Sequence, residues 1–552
     1  MQMKNWFKKA LALTCAAIMC FGLVACNKPE EVEGSNLDGS NKDYDTKNLY
    51  ITILHKGYGF EWLEALADGF EKANPGVTVH LNTVSQDEAI RGEMKAAAYT
   101  NTDLFFDIAD MARMVQEYSS YFNNGQALRP LNDVLESKIP GENVTVGEKI
   151  FESALTDYQY TDKDGNDVVY GLPYVTSALL LYYNETLINA TLGEGNWEVP
   201  NTTDELIALS KRLSEKGVNW LVPGGLDQYS RNLFAANWAQ WEGYENFMKF
   251  YDGIGFDSSK NRPTNNSGKI FEQPGRLESM KVMYDLLTPE NGYVLKHSAQ
   301  LSVSNLNDYQ KFFVDSSYDY KLAFYPCGDW LMQEVKDNSG VTDADVIKTM
   351  RVPVTSSIVN AYDSYSGNKN DKLPNINDDA TLSAVIDYVD GNGELPAGVT
   401  DAEVEIVRSA RSIVSTQANM HCVYAPRFSN AQTLANNFLI YMASDEGCKL
   451  FKENCIGGFA PYAYSYDDIE LNATELTILK NITGATFVAD YSYNDLFAVA
   501  GVRSYVNGDS GTMESYVLSP TRKYTTAEAL HQSYIDAYSG KKWDNYLSKI
   551  GK

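Results

Sequence analysis

The chain has 552 residues, 44% of them apolar, and a formal charge of −27 at pH 7. That length holds two or three ordinary domains, and the apolar share is normal for a packed core. The acidic balance repels phosphate backbones and argues against a nucleic-acid partner.

Lys4, Lys8 and Lys9 precede an apolar segment from Ala10 to Ala25. A basic start, a short greasy core and small residues at its end are the layout of a secretory signal. The core is shorter than the roughly 20 residues that span a bilayer. Its last residues, Leu23-Val24-Ala25-Cys26, resemble a bacterial lipobox, which implies that Cys26 takes a diacylglyceryl group and becomes the first residue of the mature chain. An ordinary signal with an incidental cysteine is the alternative. Loss of the three lysines with residues 1–25 takes the charge from −27 to −30. Residues 26–48 then read as a lipid-anchored tether, since Val32 and Leu37 are nearly all the aliphatic surface beyond Cys26 and cannot support a core. No later stretch approaches the roughly 18 apolar residues of a membrane span, so the body is expected to be soluble, and the signal with its anchor implies a place outside the cytoplasm, extracellular or periplasmic.

In the body, Leu49–Leu54 reads as a strand, followed by a loop with Gly57 and Gly59. Leu63, Leu66, Ala67, Phe70 and Ala73 recur at helical spacing until Asn74-Pro75-Gly76 stops them. Val77, Val79 and Leu81 alternate as a strand. Ser85 and Glu88 make a capping box for a helix to about Ala98, and Leu104–Ile108 is the next buried strand. This alternation predicts a parallel sheet with helices on its faces. "DKDGND" (162–167) has its glycine fourth and no Glu twelfth, so a hairpin turn is expected there rather than a calcium loop. Thr202 with Glu205 and Thr400 with Glu403 cap two later helices, residues 321–325 form a short strand, and Ser444 caps the helix after 434–442. The Asn-, Asp- and Ser-rich segment 364–379 reads as a surface loop or insertion.

Four cysteines lie beyond Cys26. Cys448 and Cys455, seven apart in a helical pattern, are too distant to bridge; Cys327 and Cys422 are either a pair or buried thiols. The five histidines are scattered, and none shares a motif with a Ser or Cys nucleophile. There is no G-x-S-x-G, no H-E-x-x-H, no phosphate loop and no zinc spacing, so neither a catalytic residue nor a metal or other cofactor is expected.

Five segments then carry a resemblance. They are "LADGFEKANPGVTVHL" (66–81), "YGLPYVTSALLLYYNETL" (170–187), "VPNTTDELIALSKRL" (199–213), "LAFYPCGDWLMQEV" (322–335) and "ANNFLIYMASDEGCKLFKENCIGGFAPY" (435–462). In that order they resemble the sugar-type (family 1) extracellular solute-binding proteins of bacterial ABC importers. The resemblance implies an α/β, two-lobed, periplasmic-binding-protein-like fold of type II, with the ligand in a cleft between lobes joined by hinge strands. The chain would cross near Val175, Ala418 and Gly458, giving lobe 1 residues 49–173 and 419–460 and lobe 2 residues 174–418 and 461–552. It also implies a monomer that binds a carbohydrate and hands it to permease subunits. Residues 340–415 depart from the family pattern.

Flat aromatic faces suit the C–H faces of a sugar, and carboxylates and amides suit its hydroxyl rim. Ligands of open α/β sheets bind beyond the carboxyl ends of strands. Tyr58 and Trp62 stand in the first such loop, Trp62 facing either the ligand or the core beside Leu66. Asp110 follows the third strand as a ligand or a helix cap. Tyr174 adjoins the first crossing. Trp238 and Trp241 form either a stacking platform or a core stripe with Leu233 and Phe234. Asp329 and Trp330 follow the 321–325 strand; the resemblance puts Trp330 in the cleft, and Asp329 is a ligand or a cap. Phe459 is a candidate at the third crossing. The rival readings are a secreted glycoside hydrolase or lyase, whose two carboxylates would be lost among 73 acidic residues, and a glycan-binding surface lipoprotein of helical repeats, against which the early strand–helix–strand order argues.

Overall fold

A computed structural model describes residues 45–54, 57–84, 89, 128–155, 158–161, 165–223, 227–257, 259–260, 262–265, 268–298, 301, 303–339, 341, 345–366, 369–417, 421–427, 429–489, 513–537 and 541–549. The signal, most of the tether, Cys26, the 85–98 helix, the 104–108 strand and Asp110 lie outside them.

Strand β1 (Asn48–Leu54) and strand β2 (Thr78–Val84) pair in parallel, Leu49 opposite Val79. The helix Glu61–Ala73 joins them and buries Trp62, Leu63, Leu66 and Phe70 on one face. Its C-cap, Asn74, and the positive φ of Gly76 turn the chain, as Asn-Pro-Gly predicts. Strands β3 (Gln159–Thr161) and β4 (Asp167–Val169) form the expected antiparallel hairpin, and Gly165 takes φ 83° in its turn.

Strand β5 (Leu172–Pro173) leads into strand β6 (Ala178–Asn184), every residue of which is buried. Strands β7 (Asn219–Trp220), β8 (Ile254–Asp257), β9 (Arg262–Asn265), β10 (Leu322–Gly328), β11 (Ile347–Met350), β12 (Ile413–Thr416), β13 (Cys422–Val423) and β14 (Thr486–Val488) complete the set. A six-stranded mixed sheet runs β14-β12-β6-β10-β7, with β11 also on β6. Strand β10 is longer than 321–325 because β6 pairs with it as far as Gly328.

One large core gathers β1, the helices Glu61–Ala73, Gln432–Met442 and Asp445–Glu453, and the aromatic residues after β5 and β10. A second lies under the six-stranded sheet with Trp238, Phe247, Phe250 and Phe271. A third joins Trp241 to the helices Asp379–Val389 and Asp401–Ser412. Thr202 and Thr400 form the predicted capping boxes with Glu205 and Glu403.

Two expectations are corrected. Segment 364–379 is not simply a surface loop: Ser364, Leu373 and Ile376 are buried, and Ser364 donates to the buried Glu242 carboxylate at 2.6 Å. Composition pointed outward, but a fixed acceptor draws the serine in. Cys455 does not continue the helix of Cys448, which ends at Glu453. All four described cysteines are buried. Among the described residues no helix is long and apolar enough to cross a membrane.

Candidate functional site

Three segments between strands run side by side. Residues 174–177 leave β5 for β6, Gln417 and His421 flank the passage from β12 to β13, and 456–460 follow the helix Asp445–Glu453. Tyr174 N–H donates to His421 O at 3.2 Å, Gln417 N–H to Ser177 O at 3.0 Å, and Thr176 N–H to Phe459 O at 2.9 Å. Buried backbone groups need such partners, so each segment holds the next in register. These are the neighbourhoods where the sequence resemblance puts its crossings.

The loop after β1 and the end of β10 meet at this junction. A Cβ on Gly57 would stand 2.6 Å from Trp330 Cδ1, and one on Gly328 would collide with the far edge of the same indole. Trp330 therefore lies in a slot between two glycines and is 5% exposed. Tyr58 meets its ring edge-on at 5.7 Å between centroids, and Trp62 stacks on Tyr174 at 4.7 Å. His421 completes the group, 4.9 Å from Tyr58, 5.6 Å from Trp330 and 6.0 Å from Tyr174.

Asp329 lies under these rings, fully buried. The Tyr58 hydroxyl donates to its Oδ1, while Ala178 N–H at 3.1 Å and the Thr176 hydroxyl at 3.4 Å donate to Oδ2. Burial pushes the carboxyl up to about 7; the bonds from Tyr58, Ala178 and Thr176 and the charge of Lys452 pull the other way. Burial likewise raises Glu334 to about 7, although Gln310 donates to it at 2.8 Å. The third segment is pinned by a buried ion pair: Lys452 bonds Glu475, which also accepts from Gly457 N–H at 3.2 Å.

Of the residues predicted from sequence, Tyr58, Trp62, Tyr174, Asp329 and Trp330 come together. Phe459 stands in the third segment, but its ring packs away from the cluster, against Tyr466 and under Lys452 at 4.6 Å. Trp238 and Trp241 do not join it. Trp238 packs edge-on to Phe247 and donates to Gln273 at 2.7 Å, and Trp241 packs on Tyr362. Both point into cores, because the helix Asp227–Glu242 is covered on more than one side. Sequence reasoning missed His421 and Ser177. Their signal was position alone: each adjoins an expected crossing. Among the described residues no group of three or more His, Cys, Asp or Glu is placed to hold a metal.

Hydrogen-bonded crossing strands in a mixed α/β chain, with an aromatic cluster at their junction, are the architecture of a two-lobed, periplasmic-binding-protein-like fold. Residues 57–273 match the family described as bacterial extracellular solute-binding protein. Among solved structures, the fold is similar to that of a protein of the thermophilic bacterium Caldanaerobius polysaccharolyticus studied for xylan utilization, with TM-score 0.53, 14% identity, and 90% of this chain and 99% of that one covered. It is similar to RafE of Streptococcus pneumoniae in complex with raffinose, with TM-score 0.53, 14% identity, and 90% and 100% covered. It is similar also to a chitin oligosaccharide binding protein, with TM-score 0.52, 16% identity, and 91% and 99% covered. A comparison with curated protein sequences gives no match.

Proposed function

We propose that the protein is the lipid-anchored substrate-binding component of an ABC importer, which captures an oligosaccharide by hinge closure and passes it unaltered to a membrane permease. The observation that carries this reading is the meeting of Tyr58, Trp62 and Trp330 with Tyr174 and His421 of the hydrogen-bonded crossing segments. A sugar ring entering such a cluster trades ring-to-ring contact for ring-to-sugar contact at low entropic cost. The raffinose and chitin-oligosaccharide ligands named for similar folds support a saccharide as the solute class.

In this reading lobe 1 comprises 49–173 and 419–460, and lobe 2 comprises 174–418 and 461–552. A solute that touches both favours the closed form, since only that form offers both sets of contacts. Cys26 carries the lipid, 26–48 is the leash, and the protein works as a monomer outside the cytoplasm. No covalent step is assigned. A thermal-shift panel of mono- and oligosaccharides and peptides tests this, because a tight ligand raises the melting temperature by mass action. A shift with one saccharide series, recovered intact, is expected. New reducing ends, or a shift with peptides only, would overturn it.

A further inference from the structure

Two sheets that share no strand meet at the junction. Among the described residues β1 pairs with β2 alone, while β10 belongs to the six-stranded sheet. The helix Asp445–Glu453 goes with the first body, since its Phe451 packs on Trp62 at 5.2 Å. Residues 57–59 and Ile456 therefore lie on one side of a seam. Asp329, Trp330 and the helix Leu331–Ser339 lie on the other.

Side chains knit this seam at two points. The Tyr58 hydroxyl donates to Asp329 Oδ1. One helical turn past Asp329, Gln333 Oε1 accepts from Ile456 N–H at 3.2 Å, and its Nε2 donates to Asp337 at 3.1 Å. Gln333 is buried with both ends of its amide taken. Two small residues permit the approach. A Cβ on Gly57 would stand 2.6 Å from the Trp330 indole and 2.9 Å from Glu334 Oε1, and one on Gly59 would stand 3.0 Å from Gln333 Nε2.

Opposing terms act across the seam. Ring packing and the two hydrogen bonds favour contact. Against them stand two acids, Asp329 fully buried and Glu334 mostly so. Asp329 accepts from Tyr58, Ala178 and Thr176, and Glu334 from Gln310; neither has a cation hydrogen-bonded to it among the described residues. Lys452, whose charge acts on Asp329, is bonded to Glu475. Burying an acid without a paired cation costs free energy, and that cost is relieved when the seam opens to water. Terms of opposite sign leave the two arrangements close in free energy.

We propose that this seam is a clasp: Tyr58 and Gln333, as positioning residues, hold the free chain near balance between open and shut lobes, so that a solute has only to tip it. The inference rests on the proposed lobe closure. It adds that closure is already an equilibrium of the free chain, set in part by a glutamine whose amide is spent on the protein itself. A smaller shut fraction lowers apparent affinity in proportion.

The test uses the full chain labelled with 5-fluorotryptophan, read by ¹⁹F NMR and by small-angle X-ray scattering. Without solute, the Trp330 signal, assigned by its loss in Trp330→Phe, should exchange between two environments, one in the glycine slot and one in water. Tyr58→Phe keeps the ring and removes the hydroxyl, and Gln333→Ala leaves Ile456 N–H without its acceptor. Each should move the balance toward water about fivefold, the size of one hydrogen bond, and enlarge the radius of gyration. At saturation with the saccharide that gives the largest thermal shift, both should reach the wild-type radius, at a concentration raised by a similar factor. A wild-type spectrum in which no tryptophan exchanges overturns the proposal even if no variant folds. An unchanged balance or radius in the variants that fold also overturns it. Variants that open while no saccharide binds sink the capture reading and support the clasp. A saccharide that closes wild type and variants from the same starting radius sinks the clasp and leaves capture standing.

Discussion

At Trp330 and Asp329, adjacent residues do different work. The indole fills a slot floored by Gly57 and Gly328, while the carboxyl turns beneath it to take three donors. Trp330→Ala removes a buried ring and should cost about 3–5 kcal/mol of stability. It should also cut saccharide affinity by at least roughly tenfold, the loss expected at a buried aromatic anchor; calorimetric titration of the purified variant checks this. Asp329 gives a pH prediction with a definite sign. Its carboxyl is about 7 in the folded chain against an ordinary value of 3.8. Its contribution to stability is therefore full below about pH 4 and is lost as pH rises to about 7, where the buried group must ionise. Asp329→Asn cannot ionise. Its stability relative to wild type should rise by about 2–4 kcal/mol over that window and level off above it, read as the difference between two melting curves at each pH. A difference that is flat from about pH 4 to about pH 7 would remove the burial argument.

The crossing segments are the elements on which the site hangs. Gly457 takes φ 87°, and a Cβ there would strike the carbonyl oxygen of Asp329. Gly457→Ala should destabilise the chain by roughly 1–3 kcal/mol and weaken solute binding as the third segment is pushed from the end of β10. Chemical denaturation with a binding titration checks both, and a neutral result would mean that this contact positions nothing. Elements of this kind were unevenly legible in the sequence. Capping boxes such as Thr400 with Glu403 were readable because their hydrogen bonds span three residues. Trp238 and Trp241 were not, because their shared helix is buried on two sides by cores built from residues far along the chain. Segment 364–379 misled for a related reason: its Ser364 is satisfied inside by Glu242, which composition does not reveal.

Over the whole molecule, the cluster joins positions that the sequence separates widely: Ser177 and His421 are 244 residues apart, and Tyr58 and Asp329 are 271 apart. The order of strands and helices made the fold legible, and the five resembling segments made its class legible. The meeting of His421 with Trp330 was not, since no local pattern marks a histidine that becomes central only when β12 and β13 bring the chain back across the junction. Lobe closure on a saccharide is the claim on which the rest of the function depends. Small-angle X-ray scattering during titration with an oligosaccharide that stabilises the protein tests it most directly. The account predicts a saturable fall in radius of gyration, shifted to higher saccharide concentration in Trp330→Ala, with the saccharide recovered unchanged. An unaltered radius at saturating saccharide would contradict it.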